Sequence, residues 1–164
     1  REMIAKHSCR YGMNVTVDNI LPTSDSHQAL DLIGRIFINH GDKILVESPT
    51  YLGAIQAWNA YGAEFFPVPL DENGMDTNQL EERLRAGIKF IYVLPNFQNP
   101  SGVTLSYERR LHLIELADKY GIPINIAEDI TRSRISEVNR GVNPINHNKV
   151  VEIRIMELDN IFWK

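Results

Sequence analysis

The chain has 164 residues, 43% of them hydrophobic and 23% charged, with a net charge of -4 and a sequence pI of about 5.7. That length allows one domain with a substantial core, and the composition is ordinary for a globular protein. The acidic balance argues against a nucleic-acid partner, and the apolar runs are too short to span a membrane. The single cysteine, Cys9, excludes an internal disulfide and suits a reducing, cytoplasmic compartment.

The first part of the chain predicts two helices separated by a turn. Residues 1–10 have the pattern of an amphipathic helix, and Gly12 is a candidate left-handed C-cap. Residues 18–23 predict a turn that leads into a short strand, and residues 26–39 predict a second helix. The apolar face predicted for that helix consists of Ala29, Leu32, Ile33, Ile36 and Phe37. Because the first residue is arginine, we expect the chain to begin inside a longer protein.

From Lys43 onward, strand-like and helix-like segments alternate. The strand-like segments read KILVE, EFFPVPL, KFIYVLPN and IPINIAED, and each of the first three is followed by a helical pattern. This alternation predicts βαβ units in a mostly parallel sheet with helices on both faces. After Asp129 the chain is polar and rich in turn residues, until VVEIRIMEL shows strand-like alternation. We therefore expect a core over residues 1–129 and a divergent tail over residues 130–164.

Ligands of an open parallel sheet bind beyond the carboxyl ends of its strands, so the residues after each strand are the site candidates. The segment 23–28, TSDSHQ, opens the second helix, where backbone N–H groups suit a phosphate. The simpler interpretation is that Ser24 or Ser26 caps the helix. Tyr51 follows the KILVE strand and stacks on a flat ligand or packs against the fold.

Two further candidates follow the next strands. Asn99, in FQNPSGVT, is a hydrogen-bond donor for a ligand oxygen or the cap of a turn. Asp129 ends the IPINIAED strand, where a carboxylate needs a cation or a protonated ring nitrogen. A Mg²⁺ site there lacks a third carboxylate in a matching position. Together, the candidates would suit a planar, phosphorylated, basic heterocycle.

Several stretches resemble the fold-type I pyridoxal-phosphate aminotransferases, in particular their 2-aminoadipate/kynurenine-type subgroup, which also supplies effector domains of GntR-type (MocR) regulators. The stretches are TSDSHQALDLIGRIFINHGDKILVESPTYLGAIQAW, VPLDENGMD, LPNFQNPSGVTLSYERR and IPINIAED, in family order. The resemblance implies a three-layer, doubly wound α/β large domain, here truncated, that binds pyridoxal 5'-phosphate. It also implies transfer of an amino group from an amino acid to a 2-oxo acid, by a homodimer.

The resemblance assigns a role to each candidate residue. Asn99 would bind the phenolic oxygen of the cofactor, Asp129 would pair with its pyridine nitrogen, and Tyr51 would stack on its ring. Ser24, Asp25 and Ser26 match the Ser-Gly-Ser phosphate turn of the family. No metal ion is implied.

The sequence departs from the family at several of these positions. Asp25 stands where the family has glycine, His27 replaces glutamine, and the tyrosine that follows the aspartate is absent. Lys164, the last residue, is the positional match for the lysine that bonds the cofactor, although its IFWK context lacks the family's serine. These departures leave a second hypothesis, an inactive large-domain fragment that binds the cofactor weakly or only dimerises. A third hypothesis is that the chain is the effector half of a regulator. The GntR-type relatives carry a winged helix upstream, and nothing in this sequence resembles one.

Overall fold

The computed structural model describes residues 1–10 and 14–128, together with the backbone of residues 152–156. The predicted C-cap Gly12, the site candidates Asp129 and Lys164, and the predicted boundary between core and tail lie outside the described residues. Within them, no helix has both the length and the hydrophobicity needed to cross a membrane.

Among the described residues, six strands form one sheet in the order β3-β2-β1-β4-β5-β6. Their bounds are β1 Lys43–Ser48, β2 Glu64–Asp71, β3 Gly74–Met75, β4 Ile88–Val93, β5 Ile124–Glu128 and β6 Glu152–Met156. Neighbouring strands are parallel except for the short antiparallel β2-β3 pair. The prediction of a mostly parallel sheet is confirmed, and VVEIRIMEL contributes its last strand.

In the described part of the chain, five α-helices accompany the sheet: α1 Glu2–Arg10, α2 Ser26–Phe37, α3 Leu52–Asn59, α4 Leu80–Leu84 and α5 Tyr107–Tyr120. The longest of these helices, α5, is capped at both ends. The Ser106 hydroxyl accepts a hydrogen bond from the Arg109 N–H, and Gly121 follows with a φ of 65°. A left-handed C-cap of this kind favours glycine, which lacks the Cβ that would clash.

The apolar side chains of the sheet are buried on both faces, which gives the fold three layers. One cluster, the α4/α5 core, includes Leu45, Ile91, Leu80 and Leu116. The other, the α2/α3 core, includes Ile44, Tyr92, Leu30 and Trp58. Consecutive strand residues such as Ile44 and Leu45 enter opposite cores, which is why these strands have continuous apolar runs. The structure confirms the predicted three-layer α/β class.

The strand predicted after the turn at residues 18–23 is wrong, because no strand is present among described residues 14–25. A 3₁₀ turn occupies Val17–Asn19, followed by chain that pairs with no strand. The Asn19 Oδ1 accepts hydrogen bonds from both the N–H and the hydroxyl of Thr16, each at 2.9 Å. This local side-chain bonding competes with strand pairing.

The predicted apolar face of α2 is partly wrong. The structure buries Leu30, Ile33 and Gly34, whereas Ile36 is 69% exposed and Phe37 is 39% exposed. Contacts with α3 and the residues after it set this orientation. The Trp58 Nε1 donates to the Leu30 carbonyl at 2.9 Å, and a Cβ on Gly34 would lie 2.6 Å from the Tyr61 ring. Close approach at Gly34, rather than the largest apolar side chains, decides which face is buried.

Candidate functional site

The first site element is the N-terminus of α2. Asp25 caps the helix, since its Oδ1 accepts the Gln28 N–H at 2.7 Å, while the Gln28 Oε1 accepts the Ser24 N–H at 2.6 Å. The expectation that Ser24 or Ser26 caps α2 is therefore wrong. A carboxylate satisfies this position better because it also interacts favourably with the helix dipole.

Two backbone donors remain at this helix end. The N–H groups of Ser26 and His27 donate to no residue that the structure describes. The Ser26 hydroxyl lies beside them and likewise makes no bond there. An anion would therefore find free donors at the positive end of a helix, next to the negative charge of Asp25.

Tyr51 lies between strand β1 and helix α3 and is half-buried. Its ring centre is 6.1 Å from that of His27, at an interplanar angle of 77°. A Cβ on Gly53 would lie 2.6 Å from two carbons of the Tyr51 ring, so the ring lies directly over this glycine. The structure thus brings Tyr51 next to the N-terminus of α2.

Asn99 lies in a closed loop that follows strand β4. Backbone hydrogen bonds close the loop from Leu105 N–H to Pro95 O at 2.9 Å and from Gln98 N–H to Val103 O at 2.8 Å. Asn99 itself is exposed, and its side chain bonds to none of the residues that the structure describes. Its amide is therefore available to a ligand, and it does not act as a turn cap within the described chain.

Sequence reasoning missed Glu47, the last residue but one of β1. Its side chain is 2% exposed, and its Oε2 accepts from the Leu94 N–H at 3.1 Å and from the Gln98 Nε2 at 3.3 Å. Burial raises the pKa of the Glu47 carboxyl to about 8, and the two hydrogen bonds lower it only in part. A carboxylate directly after three apolar residues in the KILVE strand was the signal that could have identified it.

Gln98 connects the loop of Asn99 to the loop of Tyr51. Its Nε2 also donates to the Pro49 carbonyl at 2.8 Å, two residues before Tyr51. At its base the same loop is fixed by Arg110 of α5, which donates to the Leu105 and Pro95 carbonyls, each at 2.8 Å. The structure therefore joins three of the predicted site elements, at α2, after β1 and after β4.

The family model for "Aminotransferase class I and II" matches residues 1–126. The chain is 45% identical over 142 residues to aromatic-amino-acid aminotransferase 1 of Thermococcus litoralis, covering 83% of this chain and 34% of that protein. It is 39% identical over 113 residues to 2-aminoadipate transaminase of Thermus thermophilus, covering 68% of this chain and 28% of that protein.

Among solved structures, it is similar to the Pyrococcus horikoshii kynurenine aminotransferase in complex with PMP, with a TM-score of 0.72 and 42% identity. That match covers 78% of this chain and 33% of the other. The chain thus spans about a third of the length of these relatives. The family match, the doubly wound sheet and the resemblance at the strand ends agree, and the chain belongs to the class I and II aminotransferases.

Proposed function

We propose that this protein is a pyridoxal-phosphate-dependent aminotransferase that moves an amino group from an amino acid to a 2-oxo acid. The observation that carries the proposal is that Tyr51 lies beside the N-terminus of α2 and that Gln98 bonds the loop of Asn99 to the loop of Tyr51. The family membership supports it, as does the PMP in the Pyrococcus relative.

The described donors fit the ends of a phosphorylated ring. The Ser26 and His27 N–H groups, with the Ser26 hydroxyl, would hold the phosphate at the positive end of α2. Tyr51 would stack against the ring, and the Asn99 amide would donate to the phenolic oxygen. Asp25 opposes this fit by its charge, so we expect phosphate binding here to be weaker than neutral donors alone would give.

Two roles are proposed for residues outside the described part of the chain. The Asp129 carboxylate would keep a proton on the pyridine nitrogen, and the Lys164 Nζ would bond the cofactor and move the substrate Cα proton. When bound, pyridoxal phosphate supplies a conjugated ring that accepts the electron pair released as that proton leaves. The chain itself would then orient the ring through Tyr51 and Asn99. Asp129 would hold a proton at the pyridine nitrogen, and the Lys164 Nζ would carry the substrate Cα proton.

The experiment is a titration of the purified chain with pyridoxal phosphate, followed by fluorescence of Trp58 and Trp163 and by absorbance. We expect saturable quenching in wild type. The affinity for pyridoxal phosphate should fall about tenfold or more in Asn99→Ala and in Asp129→Ala, since each variant removes a bond to a charged or polar ligand atom. Borohydride reduction and peptide mass spectrometry would then show which lysine carries the cofactor. A label at any lysine other than Lys164, or none, would contradict the assignment of Lys164.

Activity is tested separately, by incubating the loaded chain with an amino acid and 2-oxoglutarate. The relatives' names make aromatic amino acids, 2-aminoadipate and kynurenine the first amino donors to try. New glutamate in wild type but not in Lys164→Ala would support the proposal. Saturable cofactor binding with no formation of glutamate would contradict the proposed aminotransferase activity.

One observation favours a second candidate, a module that binds the cofactor weakly without catalysis. The Asp25 carboxylate stands at the proposed phosphate seat and is fixed there by its bond to the Gln28 N–H. A carboxylate fixed beside a phosphate repels it. Saturable micromolar binding that depends on Asp129 would count against this candidate.

We also propose that the protein is a homodimer in the cytoplasm. Ile36 and Phe37 at the end of α2, and Leu52 at the start of α3, are large apolar side chains exposed at 39% or more. Such side chains suit an interface with a second copy. Sedimentation equilibrium would test the dimer, and a monomer at tens of micromolar would contradict it.

A further inference from the structure

The loops that present Tyr51 and Asn99 are connected by one buried side chain, Gln98, which is 1% exposed. Its Nε2 donates to the Pro49 carbonyl at 2.8 Å, in the loop of Tyr51. Its Oε1 accepts from the Ser101 N–H at 2.9 Å and from the Ser101 hydroxyl at 2.6 Å, in the loop of Asn99. Gln98 therefore spans both loops with the two ends of one amide.

Glu47 is one of the groups that decide which way that amide faces. An amide in this position can turn its oxygen or its nitrogen toward β1, and the partners decide between the two. On the β1 side it meets two acceptors, the Glu47 Oε2 at 3.3 Å and the Pro49 carbonyl, so the nitrogen must face β1. The oxygen is then left to receive the two Ser101 donors. Glu47 also accepts the Leu94 N–H at 3.1 Å, at the point where the chain leaves β4.

We propose that Glu47 is a positioning residue that, through Gln98, fixes the Asn99 loop relative to Tyr51. The consequence for ligand binding rests on the proposed function, whereas the positioning itself does not. A carboxyl at 2% exposure is costly, and an apolar side chain would fill the position more cheaply. Its acceptor oxygen supplies what an apolar side chain cannot, one hydrogen bond to the Gln98 amide and another to the Leu94 N–H.

The first experiment measures amide hydrogen exchange in the full chain without any ligand. The readout is the Gly102 N–H, which bonds to the Gln98 carbonyl, and the Gln98 N–H, which bonds to Val103. We expect Glu47→Ala to speed the exchange of both amides by about tenfold or more. Without the Glu47 hydrogen bonds, the Asn99 loop would open locally, without global unfolding of the chain. Gln98→Met, which keeps the volume but removes the amide, should have the same effect.

The conservative variant and a distant control separate positioning from general stability. Glu47→Gln keeps an acceptor oxygen for Leu94 and Gln98. In this variant the exchange rates of the Gly102 and Gln98 N–H groups should therefore stay within about threefold of wild type. Glu81→Gln removes a carboxylate that accepts from Lys119 and Tyr120 far along the chain, and should leave Gly102 unchanged. Unchanged Gly102 exchange in Glu47→Ala, or equal acceleration in the centre of β4, would overturn the proposal.

The second experiment is a double-mutant cycle on pyridoxal phosphate affinity. If Glu47 acts by placing Asn99, Glu47→Ala should weaken binding about fivefold or more in wild type and hardly at all in an Asn99→Ala background. Equal losses in both backgrounds would overturn the positioning role. If the wild-type chain binds no cofactor, the proposed function fails, and the exchange experiment still decides the role of Glu47.

Discussion

At the scale of single residues, the charge of Asp25 is the feature that most affects the proposed function. It caps α2 through the Gln28 N–H, and it stands beside the N–H groups of Ser26 and His27, which donate to no residue in the described part of the chain. The cap stabilises the helix by about 1 kcal/mol in typical cases, whereas the charge disfavours a phosphate at the same place. The residue thus has opposite effects on folding and on ligand binding.

We predict that Asp25→Asn tightens binding of pyridoxal phosphate by about tenfold, because asparagine keeps the cap and removes the charge. The gain should shrink as salt is raised, since added ions screen the repulsion between the carboxylate and the phosphate. Fluorescence titration at low and high ionic strength measures both effects. Unchanged or weaker binding in the variant would show that the charge of Asp25 does not oppose the phosphate.

A second residue-scale prediction concerns Glu47. Its pKa is about 8 in the folded chain against an ordinary value of 4.5, so the folded state holds the proton longer than the unfolded state. The contribution of this group to stability is complete below pH 4.5 and is lost as the pH rises through about 8. The free energy of unfolding should therefore fall by up to about 1.4 kcal/mol per pH unit in this window.

Urea unfolding of wild type and Glu47→Gln between pH 4 and 9 measures this effect. Because glutamine does not titrate, the variant should lack that part of the decline, so its curve and the wild-type curve diverge as the pH rises. Parallel curves would mean that Glu47 ionises normally in the folded chain.

At the scale of elements, the orientation of α2 depends on α3 and the turn after it. Hydrophobic periodicity alone favoured Ile36 and Phe37 as core residues, but Trp58 bonds to Leu30 and the Tyr61 ring lies against Gly34. These contacts rotate α2 so that its C-terminal apolar side chains remain exposed.

The prediction at this scale compares two isoleucines of one helix. Ile33→Ala should lower the free energy of unfolding by about 2–4 kcal/mol, since Ile33 is 7% exposed. Ile36→Ala, at a position 69% exposed, should change it by less than about 0.5 kcal/mol in the monomer. Dilute urea unfolding gives both values, and equal losses would show that α2 faces the core differently.

At the scale of the whole molecule, strands β1 and β4 separate two apolar cores. Ile44 belongs to the α2/α3 core and Ile91 to the α4/α5 core, and both are fully buried. Cores on opposite faces of one sheet share no side-chain partners, although the sheet itself couples their folding.

We predict that Ile44→Val and Ile91→Val each cost about 0.5–1.5 kcal/mol and that the double variant costs their sum within about 0.5 kcal/mol. A single cooperative transition should persist, because both cores include side chains of the same strands. Two separate transitions in urea, or a strongly non-additive double variant, would contradict a three-layer domain that folds as one unit.

Much of the fold could be predicted from the sequence because its signals are local. The continuous apolar runs identified β1, β2, β4 and β5, and the helical pattern after the KFIYVLPN run predicted α5. The β2-β3 hairpin was missed because its second strand has only two residues. The strand predicted near residue 20 was wrong because Asn19 bonds locally to Thr16.

The sequence by itself determined the α/β class and the family, and it identified Tyr51 and Asn99 as candidate ligand-binding residues. Strand periodicity and the FQNPSGVT motif depend on residues that are close together in the chain. Only the tertiary structure decided that Gln98 joins two loops and that Glu47 is buried beside it. Glu47 and Gln98 are 51 positions apart. Their hydrogen bond exists because β1 and β4 are neighbours in the sheet, and no local pattern encodes which strands will pair.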